Sequence, residues 1–481
     1  MWRMRVVSGL SLRTNLLVAS WLLILAQVPA QGEPRNNPTT TPPNIVLILA
    51  DDLGWTDVGA FGTKYYETPN IDRLAVQGLR LTSYYVYQNC TPTRAALMSG
   101  QLAPRTGIFT VDSLERGDPQ YRRMLTPQNV TRLPLDRVTL ADSLKSSGYA
   151  TGMFGKWHLG QQGDYHPSKR GFDEAIVSMG RHYDFETIPK VDVPQGAYLA
   201  DFLTDKALGF IEKHQNRPFF LYLPYFGVHT PLEAKPELID KFRRKQPVGS
   251  HNNPIYAAMI ASLDESVGRL MAKLDELRLA ETTIIIFTSD NGGVGGYKPE
   301  GIKEQENTGN TPLRAGKGTL YEGGVRVPFI LRWPSVVHPG TVSEQPVMHV
   351  DVFPTFLELS AVKEKPKQPL DGISFVPLLK DAKARLKRDA LYWHFPGYLE
   401  GGGPGIWRTT PVGTIRSGDW KLMEFFQDSR LELYNLKDDL SEKNDLAARL
   451  PDKTRELHAK LKAWRQALKA AMPKLKSEPK P

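Results

Sequence analysis

One cysteine stands in the 481 residues, in the segment Cys90-Thr91-Pro92-Thr93-Arg94, whose residue types can do chemistry. A lone cysteine forms no internal disulfide, which leaves it a small buried hydrophobe or a reactive group. The run from Thr93 onward reads as a helix. Cys90 would then sit near the positive end of that helix, where backbone N–H groups favour anions. Arg94 can hold a nucleophile or an anion through charge-assisted hydrogen bonds. Two further pairs, Asp51-Asp52 and Asp290-Asn291, offer only oxygen donors. Donors of that kind select Ca²⁺, with Mg²⁺ as the alternative, over zinc. An Asp pair alone is often just a turn or a helix cap, so its context decides.

That context is the end of a strand in both cases. Asn44 to Ala50 and Thr282 to Ser289 are unbroken apolar runs rich in branched residues, the pattern of strands buried on both faces of a parallel sheet. Between them the order of elements repeats. Thr68-Pro69 reads as N-cap and first turn of a helix that stops at Gly78, and Thr139 to Ser147 as a helix leading into the strand Tyr149 to Phe154. Phe219 to Tyr225 is another strand, and Tyr256 to Leu279 carries apolar residues at helical spacing. In open α/β sheets ligands gather at the carboxyl ends of the strands, where both acidic pairs lie. After about residue 385 short aromatic strands take over, namely Leu391 to Phe395, Gly413 to Arg416, Trp420 to Phe425 and Leu431 to Leu436, and a helix from about Pro451 to Leu468 closes the chain. The reading is an α/β fold with a large mixed, mostly parallel sheet sandwiched by helices, a smaller C-terminal antiparallel sheet and a terminal helix.

Cys90 to Gly100 resembles the C-x-P-x-R signature of the sulfatase family, with Thr93 where Ser is commoner, and Gly155-Lys156-Trp157-His158-Leu159-Gly160 resembles its second signature, G-K-W-H-x-G. Asn44 to Gly54, Pro69 to Leu74, Tyr321 to Pro328 and Leu433 to Leu436 look like further segments of that family in its usual order. The resemblance implies an alkaline-phosphatase-like fold and oxidation of Cys90 to formylglycine by a formylglycine-generating enzyme during maturation. It implies metal ligation by Asp51, Asp52, Asp290 and Asn291 together with the group at Cys90. Arg94 would support the nucleophile, Lys156 bind the anion and His158 hydrogen-bond the hydrated aldehyde. His229, in Gly227-Val228-His229-Thr230-Pro231, and Lys317, in Arg314-Ala315-Gly316-Lys317-Gly318, match the remaining sulfate-contacting positions, either of which could protonate the leaving alcohol. The implied reaction is hydrolysis of a sulfate ester, of a sulfated small molecule or polysaccharide. The rivals are a formylglycine-dependent phosphonate or phosphodiester hydrolase and a binding protein whose Cys90 stays a thiol. For the substrate pocket, His182 is a candidate contact, with Tyr65, Tyr66, Arg181, Tyr183, Trp393, His394 and Gly401 to Gly403 as walls, although surface packing explains them equally well.

Arg3, Arg5 and Arg13 precede the apolar run Leu16 to Val28, which ends in Val28-Pro29-Ala30. Residues 1–30 therefore read as a cleaved signal peptide, the alternative being an uncleaved anchor, for which the run is short. Residues 31–43 form a Pro/Thr-rich linker, 44–384 the catalytic domain and 385–481 the small-sheet subdomain. Cleavage would remove three arginines and no acid, taking the net charge from +9 to +6. That balance suits an anionic substrate, and an ordinary solvated surface as well. The basic cluster from Lys453 to Lys476 has no nucleic-acid motif beside it and reads as the polar face of the last helix. Export without disulfides and with few glycosylation sequons points to a bacterial periplasmic or extracellular protein with no stable membrane insertion after cleavage.

Overall fold

The computed structural model describes residues 42–476. The signal peptide expected over 1–30 and nearly all of the linker expected over 31–43 lie outside the described residues. Among the described residues no helix is long and apolar enough to cross a membrane.

Nine strands form the main sheet: β1 (Asn44–Ala50), β2 (Leu79–Tyr85), β3 (Ala150–Gly155), β4 (Glu174–Val177), β5 (Phe219–Pro224), β6 (Thr283–Ser289), β7 (Arg326–Arg332), β8 (Thr341–Ser343) and β9 (Val347–Met348). Their order is β9-β2-β7-β6-β1-β5-β3-β4, with β8 also paired to β2. Only β7 runs antiparallel to its neighbours, β2 and β6. β1 lies at the centre, parallel to β5 and β6. Its alternation explains the unbroken apolar run. Val46, Ile48 and Ala50 enter one core with α1 (Pro69–Val76), while Ile45, Leu47 and Leu49 enter another with α2 (Cys90–Ser99) and α3 (Leu140–Ser146). The first core also packs α4 (Leu199–Lys213) and α5 (Pro254–Glu276) onto the sheet.

Local chemistry moved several boundaries from their expected places. Thr68 does not cap α1; its hydroxyl accepts from Gly59 N and donates to Asp72. α5 starts two residues before Tyr256, because Asn253 Oδ1 accepts from the N–H groups of Ile255 and Tyr256 and Pro254 fills the first turn. Thr139 does cap α3, in a reciprocal arrangement with Asp142.

The C-terminal sheet is antiparallel, in the order β10 (Leu391–Phe395), β11 (Val412–Ser417), β12 (Trp420–Phe425), β13 (Arg430–Asn435), and α6 (Pro451–Ala467) packs on it. It is fused to the main sheet by side chains expected elsewhere. Trp393 is fully buried and donates from Nε1 to Val86 O at 2.8 Å, and His394 is buried against Ala471 O. Neither is a pocket wall. Tyr65 and Tyr66 are likewise inside the first core, Tyr66 tilted against His251 and edge-on to Tyr256.

Two buried histidines make acid stability measurable. Burial pushes the His349 imidazole down to about 3 and that of His394 down to about 4. Both are neutral when folded but bind a proton near pH 6.5 when unfolded, so their stabilisation is full above that value and is lost as pH falls towards 4 and 3. By pH 4.5 each has lost about 2–3 kcal/mol. A thermal melt series from pH 7 to 4.5 should show a falling Tm, and His349→Gln should flatten it; an unchanged slope would contradict the assignment.

Candidate active site

The site lies where the carboxyl ends of β1, β3, β5 and β6 meet the start of α2. Asp51-Asp52 follow β1 and Asp290-Asn291 follow β6, its parallel neighbour. Lys156 and His158 follow β3, and His229 follows β5. Asp52 (φ 67°) and His158 (φ 60°) both adopt the left-handed backbone region, uncommon for residues with a side chain and concentrated at functional sites. α2 begins at Cys90 itself, earlier than the expected Thr93, and its preceding Asn89 gives no side-chain cap; Asn89 Nδ2 instead donates to Thr110. Cys90 thus occupies the first helical position, among the unpaired N–H groups.

These residues converge. Ligand atoms of Asp51, Cys90 and Asp290 lie within 4.8 Å of one another, as do those of Asp51, Asp52 and His229. Cys90 is 2% exposed, and its Sγ lies 3.3 Å from His158 Nδ1. That nitrogen is also 3.2 Å from Thr91 Oγ1, a partner that no sequence pattern had marked. Arg94 is fully buried and donates from Nε and Nη2 to Asp290 Oδ2, at 2.9 and 2.7 Å, and from Nη1 to Lys156 O. Lys156 Nζ pairs with Asp51 at 2.6 Å and Lys317 Nζ with Asp52 at 2.7 Å.

Lys317 reaches the site on a loop held by backbone contact. A Cβ on Gly316 would stand 2.3 Å from the carbonyl oxygens of Gly293 and Gly295, so only glycine lets the loop lie against the segment after β6. Asn310 Nδ2 spans the same two carbonyls and that of Ala315, at 3.0–3.2 Å. Tyr297 OH adds a hydrogen bond to Lys317 O. This support was absent from the sequence reading; the crowding of glycines between 292 and 324 was the signal available.

His182 lies behind the His229 loop. It is 1% exposed, stacked on Phe226, and its Nε2 lies 2.8 Å from His229 O. Its backbone N–H donates to Glu233, so it buttresses the His229 loop from behind. Of the other proposed walls, Arg181 is exposed and Tyr183 partly buried against Tyr198.

The electrostatics are those of an anion site with room for a cation. Burial raises the Asp51 carboxyl, but Lys156, His229, Arg94 and Lys317 outweigh it and hold the group well below the usual carboxylate range. Asp52 is lowered in the same way, burial being overcome chiefly by Lys317 and His229. Burial and the charges of Lys156 and Arg94 push His158 well below its ordinary value, so its ring is neutral at pH 7. Two buried oxygens, Asp51 Oδ1 and Asn291 Oδ1, have no hydrogen-bond partner. An unsatisfied buried acceptor costs about 1–3 kcal/mol, and a hard cation on an all-oxygen donor set would satisfy both. The donor chemistry therefore fits a divalent ion held by Asp51, Asp52, Asp290 and Asn291.

Comparison with known proteins gives the same direction. The family model "Sulfatase" matches residues 43–362, and the model "N-sulphoglucosamine sulphohydrolase, C-terminal" matches 315–470. A "Sulfatase" of Formosa agariphila is 35% identical, covering 88% of each chain. The N-acetylgalactosamine-6-sulfatase of Canis lupus familiaris is 34% identical over 75% of this chain and 70% of its own. Among solved structures, Ps i-CgsB in complex with k-i-k-neocarrahexaose superposes with a TM-score of 0.74 at 31% identity, covering 88% of this chain and 93% of that one.

Proposed function

This chain belongs to the sulfatase family and is a sulfuric ester hydrolase, and from that premise we propose that it removes sulfate from a carbohydrate through a nucleophile made from Cys90. The observation that carries the reading is the junction of Cys90, His158 and the Asp51–Asp290 oxygens at the start of α2. A carbohydrate substrate is supported by an N-acetylgalactosamine-6-sulfatase and by a structure holding a neocarrahexaose, and the arylsulfatases A and J among the similar proteins keep an aryl sulfate as the alternative.

Three buried carboxylates, Asp51, Asp52 and Asp290, face three cations, Arg94, Lys156 and Lys317. A Ca²⁺ ion, or Mg²⁺ as the alternative, held by the first three with Asn291 would supply two surplus positive charges for an anionic ester and favour ionisation of an oxygen nucleophile. Formylglycine, made from Cys90 by a formylglycine-generating enzyme, would supply an oxygen that can be released again after attack on sulfur.

The remaining work falls to this chain's side chains. Lys156 and Lys317, each placed against a metal-ligating carboxylate, bind the non-bridging sulfate oxygens and stabilise the charge that gathers on them. His158, neutral and 3.3 Å from Sγ, fixes the nucleophile by a hydrogen bond at Nδ1. His229 donates from Nδ1 to Thr230 O at 2.6 Å, which fixes the ring with Nε2 as a hydrogen-bond acceptor, so Lys317, held protonated beside Asp52, is the group that carries a proton to the leaving alcohol. Arg94 holds Asp290 and the Lys156 turn, and so the frame on which the nucleophile sits. The same reading makes this an exported enzyme, with residues 1–30 removed, 44–384 carrying catalysis and 385–481 the smaller sheet.

Free sulfate released from a panel of sulfated sugars tests the activity, and peptide mass measurement tests whether the thiol of Cys90 has become an aldehyde. Turnover of phosphate esters with none of sulfate esters would overturn the reading. Chelation should lower activity by at least about 100-fold and lower Tm as well. At free Ca²⁺ 100 times its dissociation constant, about 2.7 kcal/mol of stability should return. A Tm indifferent to Ca²⁺ and Mg²⁺ would remove the metal from the mechanism.

A further inference from the structure

Beside Lys317 stands a cation that the chemistry above leaves unused. Arg408 lies in the strand Trp407–Thr409, which pairs with Leu399–Glu400 in a hairpin between β10 and β11. Its side chain is 20% exposed, and Nη2 lies 3.1 Å from Glu304 Oε2. The guanidinium sits 5.1 Å from the centre of the Tyr297 ring, the same tyrosine whose hydroxyl holds Lys317 O. Arg408 Cδ is 2.9 Å from where a Cβ would stand on Gly318, the residue next to Lys317. Its Nε is buried with no hydrogen-bond partner. Arg408 also lines a cavity of about 240 Å³ with Thr319, Tyr321 and Trp407.

We propose that Arg408 is a specificity-determining residue that binds a second anionic group, a carboxylate or a further sulfate, on the sugar portion of the substrate. This rests on the carbohydrate-sulfate reading given above. A buried N–H without an acceptor is unfavourable until a ligand oxygen meets it. The planar guanidinium fork matches carboxylate and sulfate oxygens, and Glu304 pairs with it at Nη2. A ligand with an anion at this position gains a charge-assisted hydrogen bond that a singly charged ligand cannot make, and the contact lies one residue away from a sulfate-binding lysine. The hairpin thereby couples the small sheet to substrate choice.

The test is calorimetric titration of the full chain with three probes: N-acetylgalactosamine 6-sulfate, the same sugar linked to a uronic acid, and N-acetylgalactosamine 4,6-disulfate. The wild type should bind at least one of the doubly charged probes about tenfold more tightly than the first, and which one does so tells carboxylate from sulfate. Arg408→Gln should abolish that advantage and leave the singly charged probe within twofold. The proposal is overturned if neither doubly charged probe binds more tightly, if the advantage survives in R408Q, or if R408Q weakens all three equally, which would mark a role in holding Lys317. Should R408Q fail to fold, Glu304→Gln decides: freeing Nη2 should tighten the favoured probe about threefold, and unchanged or weaker binding overturns the idea. Sulfate release from the wider panel judges the sulfatase reading separately, since it does not depend on which of these sugars binds.

Discussion

Cys90→Ala is expected to lose sulfate release by about 10³-fold or more, with binding of a sulfated sugar retained within a few fold. The side chain is 2% exposed and small, so its loss costs little packing, and the proposed anion-binding groups Lys156, His229 and Lys317 are held by Asp51, Thr230 and Asp52 and keep those partners without it. Cys90→Ser should behave differently. Its hydroxyl oxygen can attack sulfur as its own proton is lost to solvent and Lys317 gives a proton to the leaving alcohol, which forms a sulfate ester on the introduced side chain. Release then requires a second hydroxyl on the same carbon, which serine lacks, so the ester should persist after one turnover. Intact-protein mass after incubation with a substrate would reveal it. Multiple turnovers by either variant would show that the nucleophile lies elsewhere.

Why Cys90 could be singled out from sequence while the pocket walls could not has a physical answer. The strands β1 and β6 are legible because burial on both faces demands unbroken apolar runs, and the acidic pairs stand out because charge ends each run abruptly. Cys90, Arg94, Lys156 and His158 sit in short segments whose residue types are all used at once. Trp393, His394, Tyr65 and Tyr66 carry no such constraint, because an aromatic residue fits a wall and a core equally well, and only the packing of the small sheet against Val86 decides for Trp393. β2 and β7 went unread for a related reason. β2 follows α1 after only two residues, and its alternation is broken by a register shift between Leu81 and Tyr84. Arg408 is the extreme case, because it meets the Lys317 loop from a hairpin about ninety residues later in the sequence, and that separation leaves no local pattern to read.

Arg94 should be the most stability-critical side chain of the site. Its guanidinium is fully buried and engages Asp290 through two nitrogens, with Asp51 Oδ2 3.7 Å from Nη2. Burial disfavours its charge, yet Asp290 and Asp51 together raise its pKa above the ordinary arginine value, so it stays charged throughout the accessible pH range. Arg94→Leu keeps much of the volume but leaves Asp51 and Asp290 buried without their shared partner, for which about 3–5 kcal/mol is the usual cost. Arg94→Lys keeps the charge as a single point, cannot span Asp290 and the Lys156 carbonyl together, and should recover only part of that loss. Because the C-x-P-x-R segment is also what the modifying enzyme would read, lost activity alone would not separate failed maturation from a failed frame. Chemical unfolding of the metal-free thiol form does separate them, since the bonds to Asp290 and Lys156 exist there before any modification. A variant as stable as the wild type would show that Asp290 and Asp51 tolerate burial without the guanidinium, Lys156 alone remaining on Asp51. A large loss, partly reversed by Ca²⁺, would show that the guanidinium and the cation share the task of neutralising the same carboxylates.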